Sequence, residues 1–288
     1  MNPKETPPDW FLRAIDQHPV SRWALSLGAK IHYLAWDDGA VSKPGLLFVH
    51  GMLGHARWWD YIAPFFTSRY RVYALDLSGM GISDHRPEYS RESFVEDIAA
   101  VLRDTKTAPA TVVGHSFGGA RLLDACASIP SLISHAVVLD TRFSATVERM
   151  RDNPYKPGRP NRVYPSLVDA VAHYRLMPEQ PCPAWLMEHL ARHSVRQQAQ
   201  GWTWSFDSRL RDHPPVHNKP ELLHSIELPV SYVYGSKSQL VTSQRAGEIV
   251  ASLAKGRGPF VMPGAGHHLM LQDTLSFVSL LGSVLSTP

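Results

Sequence analysis

Six consecutive residues, Gly114-His115-Ser116-Phe117-Gly118-Gly119, hold a serine hydroxyl between small neighbours. Glycine two positions to either side of Ser116 leaves room for a turn so sharp that it strains the central residue. The run follows the apolar stretch Thr111-Val112-Val113 and opens a helix-like stretch, Phe117–Ser128. A serine at such a strand-to-helix turn stands bare at a helix N-terminus, where the local field favours developing negative charge. Its chemistry is attack on a carbonyl to form a covalent acyl intermediate. A glycine-rich turn with an incidental serine is the plainer account. The strand before it and the helix after it argue against that account.

A serine nucleophile needs a base and two N–H donors aimed at one oxygen. The chain has 15 histidines, so histidine alone means little. His267 is singled out by position, in the tight turn Pro263-Gly264-Ala265-Gly266-His267 after the last strand-like run. It also comes last in the order serine, acid, histidine. His268 is its rival. For the donors, the backbone N–H of Phe117 follows the nucleophile. A second N–H, that of Met52, is expected from the strand-end loop His50-Gly51-Met52-Leu53-Gly54.

These segments must converge on one edge of a sheet. Trp23–Leu27 and Ile31–Trp36, broken by Gly28, read as an antiparallel hairpin. Residues 46–49, 70–77, 111–113 and 136–139 are strand-like runs separated by helical stretches at about 55–66, 90–104 and 117–128. That alternation implies right-handed βαβ units and a parallel sheet. It stops at Thr141 and resumes with 230–234, a helix at 243–254, a strand at 259–262 and a last helix at 269–285. The fold class expected is α/β: a mostly parallel eight-stranded sheet flanked by helices. A helical cap is inserted between its sixth and seventh strands. The sheet domain spans 1–140 and 224–288, and the cap 141–223.

The motifs HGMLG at 50–54, LDLSGMGISD at 75–84, GHSFGG at 114–119, YVYGSKSQLV at 232–241 and GAGHHLMLQD at 264–273 together resemble the α/β-hydrolase superfamily, in its capped serine hydrolase branch. The resemblance implies a serine–histidine–acid hydrolase with a cap-shaped pocket. Serine rather than aspartate at the elbow points to acyl chemistry. The family usually carries its acid after the seventh strand, where this chain has Gly235-Ser236-Lys237-Ser238-Gln239 and no carboxylate before Glu248. Asp140, at the end of the sixth strand, can supply it, as in some capped relatives. Asp207 of the cap, or a serine–histidine dyad, is the alternative. Asp76 and Asp84, flanking Gly79 and Gly81, read as loop anchors.

The cap is rich in arginine and aromatics, among them Arg149, Arg151, Tyr155, Arg175, Trp204 and Arg211. It reads as a solvated lid packed on the core, or as an aromatic pocket in which one or two arginines grip a substrate carboxylate or phosphate. Candidate substrate-lining residues are His50, Gly51, Trp58, Trp59, His115 and Trp204. His189 and His193 share a helix face but lack a third metal ligand, so no metal site and no cofactor is expected. A net charge of +3 without a basic run speaks against nucleic acid. No apolar run approaches a membrane span, and two cysteines build no disulfide framework. The expectation is a cytoplasmic monomer or homodimer acting on a small acyl molecule. It cleaves an ester or, with the same residues, a C–C bond or lactone. A non-catalytic ligand receptor is the alternative from another class.

Overall fold

The computed structural model describes residues 6–37, 39, 42–142, 159–211 and 220–286. Cap residues Arg149, Arg151 and Tyr155 fall outside them. An eight-stranded sheet forms the core, built from β1 (Val20–Ser26), β2 (Ala29–Trp36), β3 (Gly45–Val49), β4 (Arg71–Leu75), β5 (Ala110–His115) and β6 (Ile133–Leu139). After a cap hairpin of β7 (Val195–Gln198) and β8 (Gly201–Trp204), it is completed by β9 (Val230–Gly235) and β10 (Gly256–Met262). Spatial order is β1-β2-β4-β3-β5-β6-β9-β10. The pairs β1/β2 and β2/β4 are antiparallel and the rest parallel. All five residues of β3 are buried, which is why its sequence is a continuous apolar run rather than an alternating one.

Register positions the chemistry. Val49 pairs with both Leu75 and Gly114, His115 with Leu139, Leu139 with Val233, and Gly235 with Met262. The parallel strands therefore end level, and the residues that follow them share one carboxyl edge. Those residues include His50, Asp76, Ser116, Asp140 and the turn leading to His267. In open α/β sheets this edge is where ligands bind.

Helices α1 (Asp9–Ile15), α2 (Arg91–Thr105), α3 (Phe117–Ser128), α7 (Ser243–Ala251), α8 (Leu269–Gln272) and α9 (Thr274–Ser286) belong to the sheet domain. Helices α4 (Leu167–Ala172), α5 (Ala184–His193) and α6 (Pro220–His224) lie between β6 and β9. Helix α2 starts as expected: Ser90 Oγ accepts the Ser93 N–H, and Ser93 Oγ accepts the Ser90 N–H.

Three elements differ from the sequence expectation. Residues 55–66 form two 3-10 turns, Ala56–Trp58 and Ala63–Phe66, rather than an α-helix. Pro64 has no N–H to donate to the preceding turn, and residues 58–64 are buried throughout instead of along one helical stripe. The final helix is split at Asp273, whose carboxylate accepts the Ser276 N–H and hydroxyl and so caps α9. The cap is not purely helical. Its β7–β8 hairpin escapes the sequence because Val195-Arg196-Gln197-Gln198 exposes three of four residues and carries no apolar alternation.

Candidate active site

Ser116 has φ +52° and ψ −116°, a conformation few non-glycine residues adopt. Its N–H donates to Leu139 O at 2.9 Å, which pins the turn to β6. A Cβ on Gly118 would stand 2.3 Å from His50 O, and one on Gly114 would stand 2.7 Å from Gly118 O. The turn closes only because both side chains are absent.

Three side chains from separate strand ends meet there. His267 Nε2 lies 2.9 Å from Ser116 Oγ, and His267 Nδ1 lies 2.7 Å from Asp140 Oδ2. A carboxylate only accepts, so Nδ1 carries the proton and Nε2 presents its lone pair to the serine hydroxyl. Asp140 is fully buried, with φ +43°. Its Oδ1 accepts the Gly235 N–H at 3.0 Å, and its Oδ2 accepts the Ser238 hydroxyl at 2.7 Å. Ser238 Oγ in turn accepts the N–H groups of Leu240 and Val241, each at 3.1 Å. Thr141, the next residue after the acid, donates its hydroxyl to Ser116 O, and its own carbonyl accepts the Tyr232 hydroxyl.

The rivals lie elsewhere. His268 makes no hydrogen bond to Ser116. Its main chain is clamped by the Gln180 amide, which accepts the His268 N–H at 2.7 Å and donates to the His268 carbonyl at 3.0 Å. Burial pushes its imidazole down to about 3. Asp207 binds Tyr89 and Arg209 and lies 3.4 Å from His85 Nδ1, away from His267. Burial alone would raise its carboxyl, but the Arg209 hydrogen bonds hold it down at about 2. Asp76 accepts from His32, Ala56 and Ile82, as a loop anchor should. His32 also touches Ser21 Oγ at 3.1 Å, which makes a second serine–histidine–aspartate chain. There the serine sits exposed on edge strand β1, in extended backbone rather than on a strained turn.

The N–H of Phe117 is the first donor of α3, and helix geometry gives such a donor no partner. Among the described residues neither it nor the Met52 N–H donates a hydrogen bond. The Met52 loop is braced by His50, whose Nδ1–H donates to Gly51 O at 2.7 Å while Nε2 accepts the Leu77 N–H at 3.1 Å. His50 is therefore neutral, and burial lowers its pKa further.

A cavity of about 280 Å³ opens over Ser116. Gly51, Met52, Trp58, His115 and His267 line it from the sheet side, and Tyr174, Leu176, Ser194, Trp204 and Phe206 line it from the cap side. Two of the substrate-lining expectations are corrected. His50 does not line the cavity because both its ring nitrogens brace the loop. Trp59 does not because it is fully buried and stacked on Phe48, with centroids 4.8 Å apart. Sequence alone could not separate adjacent Trp58 and Trp59, of which Trp58 packs beside His115 and His268 and Trp59 on Phe48. Ser194 of the cavity wall and Gln180, which holds the His268 main chain, escape the sequence reading, since nothing in the cap sequence tells such residues from packing residues.

Among the described residues one histidine group, His115, His267 and His268, brings ligand atoms within 4.8 Å of one another. Both nitrogens of His267 are already engaged, and His115 Nε2–H donates to His267 O at 3.0 Å, so the set is a poor metal cradle. His189 donates to Asp60 and His193 to the His189 carbonyl, so that pair is engaged as well. No helix among the described residues is long and apolar enough to cross a membrane.

Residues 46–279 match the sequence pattern of the Alpha/beta hydrolase family. The chain is 25% identical over 270 residues to Esterase Rv0045c of Mycobacterium tuberculosis, covering 89% of this chain and 87% of that protein. It is 25% identical over 249 residues to the 2-(acetamidomethylene)succinate hydrolase of Mesorhizobium japonicum, covering 79% and 83% respectively. A crystal structure of E-2-(acetamidomethylene)succinate hydrolase superposes with a TM-score of 0.80 at 20% identity, over 94% of this chain and 100% of that one.

Proposed function

The chain belongs to the alpha/beta hydrolase family, and from that premise we propose that it cleaves a carboxylic ester, or a related acyl bond, of a small molecule through an acyl-enzyme on Ser116. The observation that carries the reading is the unbroken chain from Ser116 Oγ through His267 to Asp140, with contacts of 2.9 and 2.7 Å. His267 Nε2 takes the hydroxyl proton as Ser116 Oγ bonds to the carbonyl carbon. The oxygen, now negative, is held by the Met52 and Phe117 N–H groups. Collapse of this adduct breaks the bond to the leaving group, which receives the proton from His267. Water then enters, gives a proton to Nε2 as its oxygen bonds to the acyl carbon, and the acyl–Oγ bond breaks as Nε2 returns that proton to Ser116 Oγ, which releases the acid and the free serine. Asp140 keeps the proton on Nδ1 and stabilises the imidazolium each time it forms.

The relatives named esterase and hydrolase support this assignment. Hydrolysis of a C–C bond or lactone would use the same residues, and a panel of short esters, lactones and vinylogous diketones separates those chemistries. The motive for a non-catalytic receptor was serine in place of the usual acid at 238. A hydrogen bond from Ser238 to Asp140 removes that motive. The compartment proposed is the cytoplasm, where the free thiols Cys126 and Cys182 stay reduced. The test is labelling with a fluorophosphonate probe together with hydrolysis of p-nitrophenyl acetate. Wild-type protein labels on Ser116 and turns over; Ser116→Ala does neither. Folded wild-type protein that resists the probe would overturn the assignment.

A further inference from the structure

The peptide unit that follows His267 is held at both ends, and one of its two holders belongs to the cap. Its carbonyl, that of His267, accepts the His115 Nε2–H at 3.0 Å. Its N–H, that of His268, donates to Gln180 Oε1 at 2.7 Å. Gln180 Nε2 then donates to the His268 carbonyl at 3.0 Å, so one side-chain amide engages both main-chain groups of the residue next to His267. His115 ends β5, whereas Gln180 lies between α4 and α5.

A peptide unit is planar, so opposed hydrogen bonds at its C=O and N–H fix its tilt as well as its place. That plane begins at the His267 Cα, and its tilt helps to set the direction in which the imidazole leaves the main chain. The imidazole must keep two contacts at once, 2.9 Å to Ser116 Oγ and 2.7 Å to Asp140 Oδ2. A misplacement on the order of 1 Å can cost about a hundredfold in rate. The turn leading to His267 is tied to the sheet domain, with Gly264 N–H on Ser236 Oγ and Gly266 N–H on Gln272 Oε1, both at 2.8 Å. Gly266 also leaves room for the cap amide, since a Cβ there would stand 2.9 Å from Gln180 Oε1. Gln180 is not among the described residues that line the cavity, so its contacts serve the turn rather than a bound molecule.

We propose that Gln180 is a positioning residue for the relay from Ser116 through His267 to Asp140, acting through the His267–His268 peptide to aim the imidazole. This deepens the assignment of Ser116 as nucleophile and rests on it. The cap thereby contributes to proton transfer as well as to the pocket wall, and Gln180 belongs to the frame of the relay rather than to the part of the cap above it. Without the amide, the peptide N–H loses its partner and the plane is held at its carbonyl alone. The plane then tilts, Nε2 meets the serine hydroxyl less often in line, and proton transfer slows while substrate binding is unchanged.

The test is Gln180→Met, a side chain of similar length without the amide, with Gln180→Ala measured beside it so that the result does not hang on how one side chain packs. On p-nitrophenyl acetate kcat should fall roughly tenfold or more while KM stays within about twofold, the pattern of an interaction that acts in the transition state. Proton NMR supplies a readout independent of turnover. The far-downfield resonance of the His267 Nδ1–H, sharp in the wild type, should broaden or shift in both variants, although their urea midpoints stay near that of the wild type. A wild-type kcat in both variants, a change confined to KM, or a lower kcat with an unmoved Nδ1–H resonance overturns the proposal. If Ser116 of the wild type still labels with fluorophosphonate in that case, the positioning inference alone has failed. If it does not label, the hydrolase assignment has failed with it.

Discussion

Ser238 Oγ lies 2.7 Å from Asp140 Oδ2, the same oxygen that accepts the His267 Nδ1–H. A serine at the position where the family usually carries its acid thus hydrogen-bonds to the proposed acid at the neighbouring strand end. The two positions are alternative ways of reaching one imidazole.

That adjacency makes the acid's location testable. Asp140→Asn replaces an acceptor with an amide and misorients His267, so kcat should fall by roughly 10⁴-fold. Ser238→Ala removes one supporting hydrogen bond, ~1 kcal/mol, and should lower kcat about fivefold with little change in KM. The double variant Asp140→Asn with Ser238→Asp returns a carboxylate to the usual loop and should recover at least tenfold over Asp140→Asn alone. Steady-state kinetics on one ester measures all three. Near-wild-type rates in Asp140→Asn would remove that residue from the site.

Gly118→Ala should damage folding before it damages chemistry. The added carbon would meet His50 O at 2.3 Å and Val49 O at 2.8 Å, both backbone atoms. Neither can rotate aside, so α3 must lift from the end of β3, at a cost of about 1–3 kcal/mol or more. Urea unfolding gives the stability change, and fluorophosphonate labelling of the surviving folded fraction shows whether Ser116 stays activated. An unchanged midpoint would contradict the close approach.

Adjacent tryptophans should separate cleanly. Trp59 is fully buried on Phe48, so Trp59→Ala should cost about 3–5 kcal/mol in unfolding free energy. Trp58 lines the cavity beside His115 and His268, so Trp58→Ala should change KM and ester preference with a smaller stability loss. Equal effects of the two on both measurements would mean that the cavity wall is drawn wrongly.

Acid should unfold this protein early. Burial depresses His55 and His268 to about 3, whereas unfolded imidazoles titrate near 6.5. Above pH 6.5 both states are neutral at these residues and their stabilising contribution is complete. As pH falls from 6.5 toward 3, the unfolded chain takes up protons that the folded chain refuses. Stability then drops by up to ~1.4 kcal/mol per pH unit for each histidine. Urea midpoints between pH 7.5 and 4.5 should show this slope, and His55→Asn should reduce it by one proton's worth. A flat profile would mean that these rings protonate in the folded state.

What the sequence discloses about the site follows from how local each signal is. Gly114, Ser116 and Gly118 act within one turn, so composition and flanking pattern suffice to single out the proposed nucleophile. His267 is recognisable because a strand and a glycine-rich turn precede it directly. Asp140 could be named but not decided, because its contact with His267 crosses 127 positions of chain and depends on β6 lying beside β9. Ser238 could be read only as a missing acid, since its hydroxyl acquires a purpose only when Asp140 stands opposite. The β7–β8 hairpin was hidden because its stabilisation comes from tertiary contacts, such as Trp202 N–H to Tyr164 O, rather than from strand-like patterning. The break at Asp273 was legible in principle, as an Asp three residues before Ser276, but the apolar run on either side masked it.

The chain leaves the sheet for the cap one residue past Asp140, and that residue, Thr141, is moored on both sides by Ser116 and Tyr232. Any swing of the lid must therefore hinge beyond position 141. Were the pivot one residue earlier, every admission of a guest molecule would tilt the carboxylate and detune the imidazole. On the proposed mechanism the mooring would insulate the proton relay from any motion above it, so that traffic and reactivity could be altered separately.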